Sequence, residues 1–251
     1  MMDRLLRRGT KKRGSLVLAI SVWLLVSSRP LSSKEIITNN IHFIEAPEWI
    51  TSSTVERVTG RVQNFLEWDI RRIKVRYHAN DSTYQREHQL NFQSNAFFRR
   101  SDSTVHLSSR VTRENFEAIF GHELVHVIFF QKYREAIPKW LEEGLANHIG
   151  RTANVDYAWL SQQPLGDVTR LTHPDKDATG SRYHYLASTA LIEMISNRCS
   201  LTELLRLSVG AKLTTYLGTY CEIKDINASF RDWVSKKSKE RPGQKPARRW
   251  W

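Results

Sequence analysis

Residues 118–126 read Ala-Ile-Phe-Gly-His-Glu-Leu-Val-His, and the two histidines stand four apart inside an apolar stretch. Four residues is just over one helical turn, so His122 and His126 lie one above the other, with Glu123 one residue round from the first. Phe116, Ile119, Phe120, Leu124, Val127, Ile128 and Phe130 make the surrounding helix apolar nearly all round, which places it inside the fold. Thr112 is the expected N-cap, with Glu114 in the first turn. Two hydrogen-bonded core histidines would leave the charge of Glu123 without a counter-charge or a role. Two histidines reaching one zinc ion, with Glu123 beside a water that the metal activates, give all three side chains a purpose.

A third ligand is expected from the returning chain. Residues 138–150 open with a proline suited to a first helical turn and close with a glycine suited to a C-cap, so they read as a second helix. If the first helix ends near Phe130, each limb from the histidines to the turn and back spans about 6 to 8 Å at ~1.5 Å per residue. Glu143 then comes level with the histidines.

Together these segments resemble the gluzincin metallopeptidases, in which HExxH is followed by a helix of the form Trp-Leu-x-Glu-Gly-x-Ala. The matching residues are Trp140, Leu141, Glu142, Glu143, Gly144, Leu145 and Ala146. The resemblance implies that Glu143 is the third zinc ligand, with sixteen residues between it and His126. Glu142 is then either solvated or bonded to a ligand. Asn147 falls where gluzincins place an acid that orients a ligand histidine; an asparagine accepts that hydrogen bond but raises ligand basicity less than a carboxylate. An exposed helix polar residue is the other reading of Asn147.

Two weaker likenesses flank the pair. Asn95-Ala96-Phe97-Phe98 resembles the edge strand with which thermolysin-like peptidases hold substrate, and implies substrate binding at Asn95 and Ala96 by strand addition. An ordinary half-buried strand is the alternative. Residues 183–195 are similar to the helix after the metal site of gluzincin aminopeptidases, where a tyrosine donates its hydroxyl to the oxyanion. Register assigns that role to Tyr185, with Tyr183 and His184 as fallbacks. The Gly-x-Met-x-Asn strand of those aminopeptidases is absent, which points towards an endopeptidase.

The fold expected is α+β, a zincin-like two-lobe domain. Its N-terminal α/β part, 34–135, carries a mixed sheet with an edge strand beside the metal helix, and its lobe over 136–235 is helical. Periodicity places a strand over 40–46, an amphipathic helix over 51–69 and a strand at Ile73, Val75 and Tyr77. Residues 81–91 read as a helix, with short strands at 96–98 and 104–107. Further helices are expected from His184, over 201–209 and over 226–234.

Charge is concentrated at the ends. Of the net +12, residues 1–14 hold six Lys or Arg against one acid, and residues 236–251 hold seven against one. The remaining 221 residues carry 25 basic and 24 acidic side chains, so the body offers no basic face for a nucleic-acid backbone. Residues 236–251 read as a basic, disordered tail. The front end has a positive n-region, then eleven residues, Leu16 to Val26, that are apolar except Ser21. Residues 1–33 are therefore expected to be a secretory signal, or a membrane anchor through 15–28, giving a periplasmic or extracellular protein with a route to membrane association. Cys199 and Cys221 fit an exported chain as a disulfide, and two isolated buried thiols are the alternative. The expectation is an exported metallopeptidase with one zinc per chain and a peptide or protein substrate. A non-catalytic zinc-containing binding or scaffold protein of the cell envelope is the alternative.

Overall fold

Apolar residues that alternate along three short segments build the parallel centre of the sheet: Ile41 and Phe43, Ile73 and Val75, Val105 and Leu107 are all buried. In the computed structural model, which describes residues 33–88, 94–134, 136–152, 154–172, 180–208 and 212–240, these lie on β2 (Ile41–Pro47), β3 (Ile73–Tyr77) and β5 (Thr104–Leu107). β2 pairs parallel with β3 and β3 parallel with β5. Antiparallel strands close both edges, β1 (Ser33–Ile37) on β2 and β4 (Ala96–Arg99) on β5, in the order β1-β2-β3-β5-β4. The sheet is mixed and the fold is α+β. β1 was not expected, because its burial alternates only weakly and Ile37 stays 61% exposed.

Parallel neighbours need a crossover. α1 (Ser52–Leu66) makes the first, with Thr51 Oγ1 accepting from Thr54 N at 3.2 Å and with Val55, Val58, Val62 and Leu66 buried. α2 (Asp81–His88) begins the second and is followed by the β4–β5 hairpin.

From Phe116 onwards the described residues hold helices only. These are α3 (Phe116–Ile128), a π-helical turn (Phe129–Tyr133), α4 (Lys139–Gly150), α5 (Tyr157–Leu160), a 3-10 turn (Val168–Arg170), α6 (Ser181–Ser196), α7 (Leu201–Leu207), α8 (Leu213–Thr219) and α9 (Ile226–Glu240). α9 runs five residues into the stretch read as a tail. Lys237 Nζ there bonds Glu240 at 2.7 Å and lies over the Trp233 ring, so 236–240 are helical rather than disordered. The leader, apart from Ser33, and residues 241–251 fall outside the described residues. Among the described residues no helix is long and apolar enough to cross a membrane. Cys199 and Cys221 are disulfide-bonded, joining the end of α6 to the end of α8, so the two-thiol alternative does not hold.

Glycine sets how closely the helices approach. A Cβ on Gly144 would stand 2.3 Å from Ser188 O of α6, and one on Gly150 would stand 2.8 Å from Ala118 O and 3.0 Å from His122 N of α3. Gly150 was expected as a C-cap; it is the last helical residue, and Arg151, with φ 60°, caps. Its lack of a side chain lets α4 touch the backbone that carries the histidines.

Behind β5 sits a buried pair of imidazoles. His78 Nε2 is 2.9 Å from His106 Nδ1, and the Phe97 ring stacks on His106 at 4.7 Å. Burial pushes both pKa values down, His106 to about 4. A base whose folded pKa lies below its unfolded value contributes stability that is complete above the unfolded value and lost as pH falls. For His106 the window runs from 6.5 down to about 4.

Two outcomes follow from this packing. Gly144→Ala should lower unfolding free energy by on the order of 1–3 kcal/mol in denaturant titration, since a backbone carbonyl cannot swing aside. His106→Asn should flatten the loss of denaturation midpoint between pH 6.5 and about 4; equal pH slopes in variant and parent would refute the assignment.

Candidate metal centre

α3 starts later than its sequence promises. Thr112 Oγ1 bonds Glu114 at 2.6 Å instead of capping, and Asn115 Oδ1 accepts from Thr112 N at 2.7 Å, so the helix begins at Phe116 without a side-chain cap. It ends at Ile128, close to the expected Phe130, and a π-helical turn carries the chain on to Tyr133. Between these ends the face expected for metal binding is intact. The His122 and His126 rings lie 4.8 Å apart, with their Nε2 atoms 3.1 Å apart.

α4 returns beside it with Pro138, at φ −58° and ψ 144°, as the N-cap rather than the first helical residue. It places Glu143 Oε2 3.7 Å from both Nε2 atoms. His122, His126 and Glu143 are the residues among those described whose donor atoms gather closely enough to hold a metal ion.

Proton placement shows why the cluster fits a cation. His126 Nδ1 lies 2.6 Å from Glu142 Oε1, an acceptor, so the Nδ1 proton points there and the Nε2 lone pair is left for the cluster. Glu143 Oε2 is fully buried and has no hydrogen-bond partner. Three acceptor atoms thus face one point. Ligand bonds of about 2.0–2.2 Å in a tetrahedron put neighbouring donors about 3.3–3.6 Å apart, close to the spacing found. Two imidazoles and a carboxylate suit a borderline divalent cation, and the donor set alone does not choose among such ions.

The electrostatics are those of a mostly dry site. Burial pushes His122 down to about 3 and Glu123 up to about 7. Burial also opposes the Glu142 carboxylate, but the His126 hydrogen bond and the Lys139 charge hold it at about 2. For Glu143 burial is again overcome, by Lys139 first and then by the histidines, and the carboxyl stays well below the usual range. Lys139 Nζ lies 3.0 Å from Glu142 Oε1 and 3.0 Å from Glu143 Oε1. Sequence reading missed this lysine, although its spacing of three and four from the two glutamates puts all three on one helical face.

The other expected residues divide. Glu142 is buried and bonded to His126, not solvated. Asn147 is buried rather than exposed: its Nδ2 donates to Thr189 Oγ1 at 2.9 Å, its Oδ1 accepts from Thr152 at 2.7 Å, and its side chain also acts on His122. Tyr185, in the first turns of α6, lines a cavity of about 440 Å³ with His122, Glu123, His126 and Glu143. The fallbacks Tyr183 and His184 are buried and do not line it. β4 is an edge strand of the sheet, and Ala96, Phe97 and Phe98 form one wall of the cavity. Asn95 does not line it; its Oδ1 accepts from Arg110 Nε at 3.2 Å, and its carbonyl accepts from Ser108 N at 2.9 Å.

No family model, curated protein or solved structure matches the chain. The centre therefore stands on its own geometry.

Metal titration checks that geometry. The full chain should bind one divalent cation by calorimetry or elemental analysis, and His126→Ala should abolish stoichiometric binding. Glu142→Gln, which keeps the shape but not the charge, should weaken affinity by about 10–100-fold; unchanged affinity would remove Glu142 from the ligand's support.

Proposed function

We propose that the chain is an exported zinc-dependent metallopeptidase, an endopeptidase on a zincin-like two-lobe fold of the kind gluzincins have. The observation that carries this reading is the meeting of three acceptor atoms, His122 Nε2, His126 Nε2 and Glu143 Oε2, in a cavity that also holds the buried carboxyl of Glu123. A structural zinc usually has four protein ligands, whereas this cluster supplies three. The open sheet edge at β4 beside it supports a peptide substrate, because an extended chain can add there as a further strand. Export enters from the basic and apolar leader, and the oxidised cysteine pair agrees with it.

A divalent cation at this centre supplies Lewis acidity towards water and the scissile carbonyl. The chain's own groups do the rest. Glu123 has its carboxyl pushed up to about 7, so near neutral pH it can accept a proton from the attacking water and return one to the leaving amine. Tyr185 donates its hydroxyl to the oxygen on which negative charge grows. Glu142 and Asn147 keep the two imidazoles aimed. Ala96 contributes backbone groups along β4, while Asn95 would first have to exchange Arg110 for the substrate.

The test is cleavage of an unfolded casein-like protein by the metal-loaded chain, followed by mass spectrometry of the fragments. Glu123→Gln should retain the metal and lose activity by about 10²–10⁴-fold. Full activity in that variant would overturn the role of Glu123. Bound metal with no turnover of any peptide in a broad library would favour the non-catalytic alternative.

A further inference from the structure

The cavity at the metal centre does not end at Arg100. This exposed residue, just past β4, also lines a second groove of about 750 Å³. Arg71, Arg72, Arg100 and Arg134 all line that groove, and no carboxylate among the described residues does. Among the described residues none of the four pairs with an acid; Arg72 donates to Thr38 O at 3.2 Å, and Arg100 lies over the Phe130 ring at 5.8 Å from its centroid. The body of the chain balances 25 basic against 24 acidic side chains, so four guanidinium groups with no acid partner among the described residues are a local concentration and not the overspill of a basic protein.

The groove is held in shape. Gln131, on the π-helical turn that continues α3, accepts from Arg71 N at 2.9 Å and donates to Arg71 O at 3.1 Å. Its neighbour Phe130 meets Phe98 of β4 edge to face at 5.7 Å, so an aromatic floor runs from the cavity into the groove.

We infer that this groove takes acidic side chains of the same peptide whose scissile bond lies at the metal centre, which makes acidic segments of proteins the preferred substrate class. The inference rests on the hydrolase reading. An added strand that follows β4 towards its C-terminal end arrives at Arg100. Guanidinium groups match carboxylates two bonds at a time, and where no described acid competes in the groove the pairing falls to the substrate. A nucleic acid fits less well, since the near-neutral body offers no extended track for a phosphate backbone.

The experiment uses the full-length, metal-loaded chain carrying Glu123→Gln, so that peptides are bound but not consumed. Fluorescence anisotropy compares a labelled peptide rich in Glu with its Gln counterpart and with a labelled oligouridylate. The Glu peptide should bind roughly tenfold more tightly, a difference of about 1.4 kcal/mol. That advantage should shrink as salt rises from about 50 mM to about 500 mM. Adding Arg100→Gln and Arg134→Asn, the latter chosen because asparagine tolerates the φ of 54° at that position, should reduce it to roughly twofold. Equal affinity for the two peptides, a preference untouched by the arginine substitutions, or tighter binding of the oligouridylate would overturn the inference. Turnover by the chain with Glu123 restored separates the two claims. Cleavage of both peptides at equal kcat/KM removes the acidic preference and leaves the hydrolase. Arginine-dependent binding without cleavage of any peptide keeps the acidic groove and removes the hydrolase.

Discussion

At Gly150 α4 comes against α3 backbone to backbone. Where Gly150 faces Ala118 O and His122 N there is no room for a single added carbon. Every distance at the metal centre inherits that spacing, because Glu143 projects from α4 seven residues earlier and meets imidazoles that project from α3. A second crossing of the same kind, Gly144 against Ser188, holds α6 to the opposite side of α4, and α6 delivers Tyr185 to the cavity. Two small residues on one helix thus place three elements relative to one another.

Charge is arranged as tightly as shape. Three buried carboxyl groups, Glu123, Glu142 and Glu143, line one cavity with two imidazoles. Lys139 offsets part of this negative charge, pairing with Glu142 and Glu143 on its own helix. His126 and Lys139 act on Glu123 too, but burial outweighs them there and drives its carboxyl towards neutrality. Burial therefore gives neighbouring glutamates opposite tendencies, according to whether a cation is in direct contact with them.

What could be read from the sequence was local and periodic. His122 and His126 share a face at any helical register, and with the helix ending near the expected Phe130 Glu143 comes level with them, so the triad survived a wrong expectation about the start of α3. The alternating strands β2, β3 and β5 were legible for the same reason. Less legible were features decided by partners distant in the chain. β1 depends on pairing with β2, and the start of α3 depends on Asn115 winning Thr112 N. Lys139 was given no role from the sequence, although its partners Glu142 and Glu143 lie on its own helix. Asn95 matched a motif, but motif spacing does not reveal that Arg110 already holds its side chain.

The bond between Cys199 and Cys221 spans 22 residues and ties the far end of α6 to α8. Closing a loop of that length restricts the unfolded chain by about 3 kcal/mol in the chain-entropy treatment. Such a link persists where thiols are oxidised and is undone where glutathione keeps them reduced. The tyrosine-bearing helix is thus anchored by a covalent link whose persistence follows the redox state of its surroundings, and the fold is firmest where thiols are oxidised.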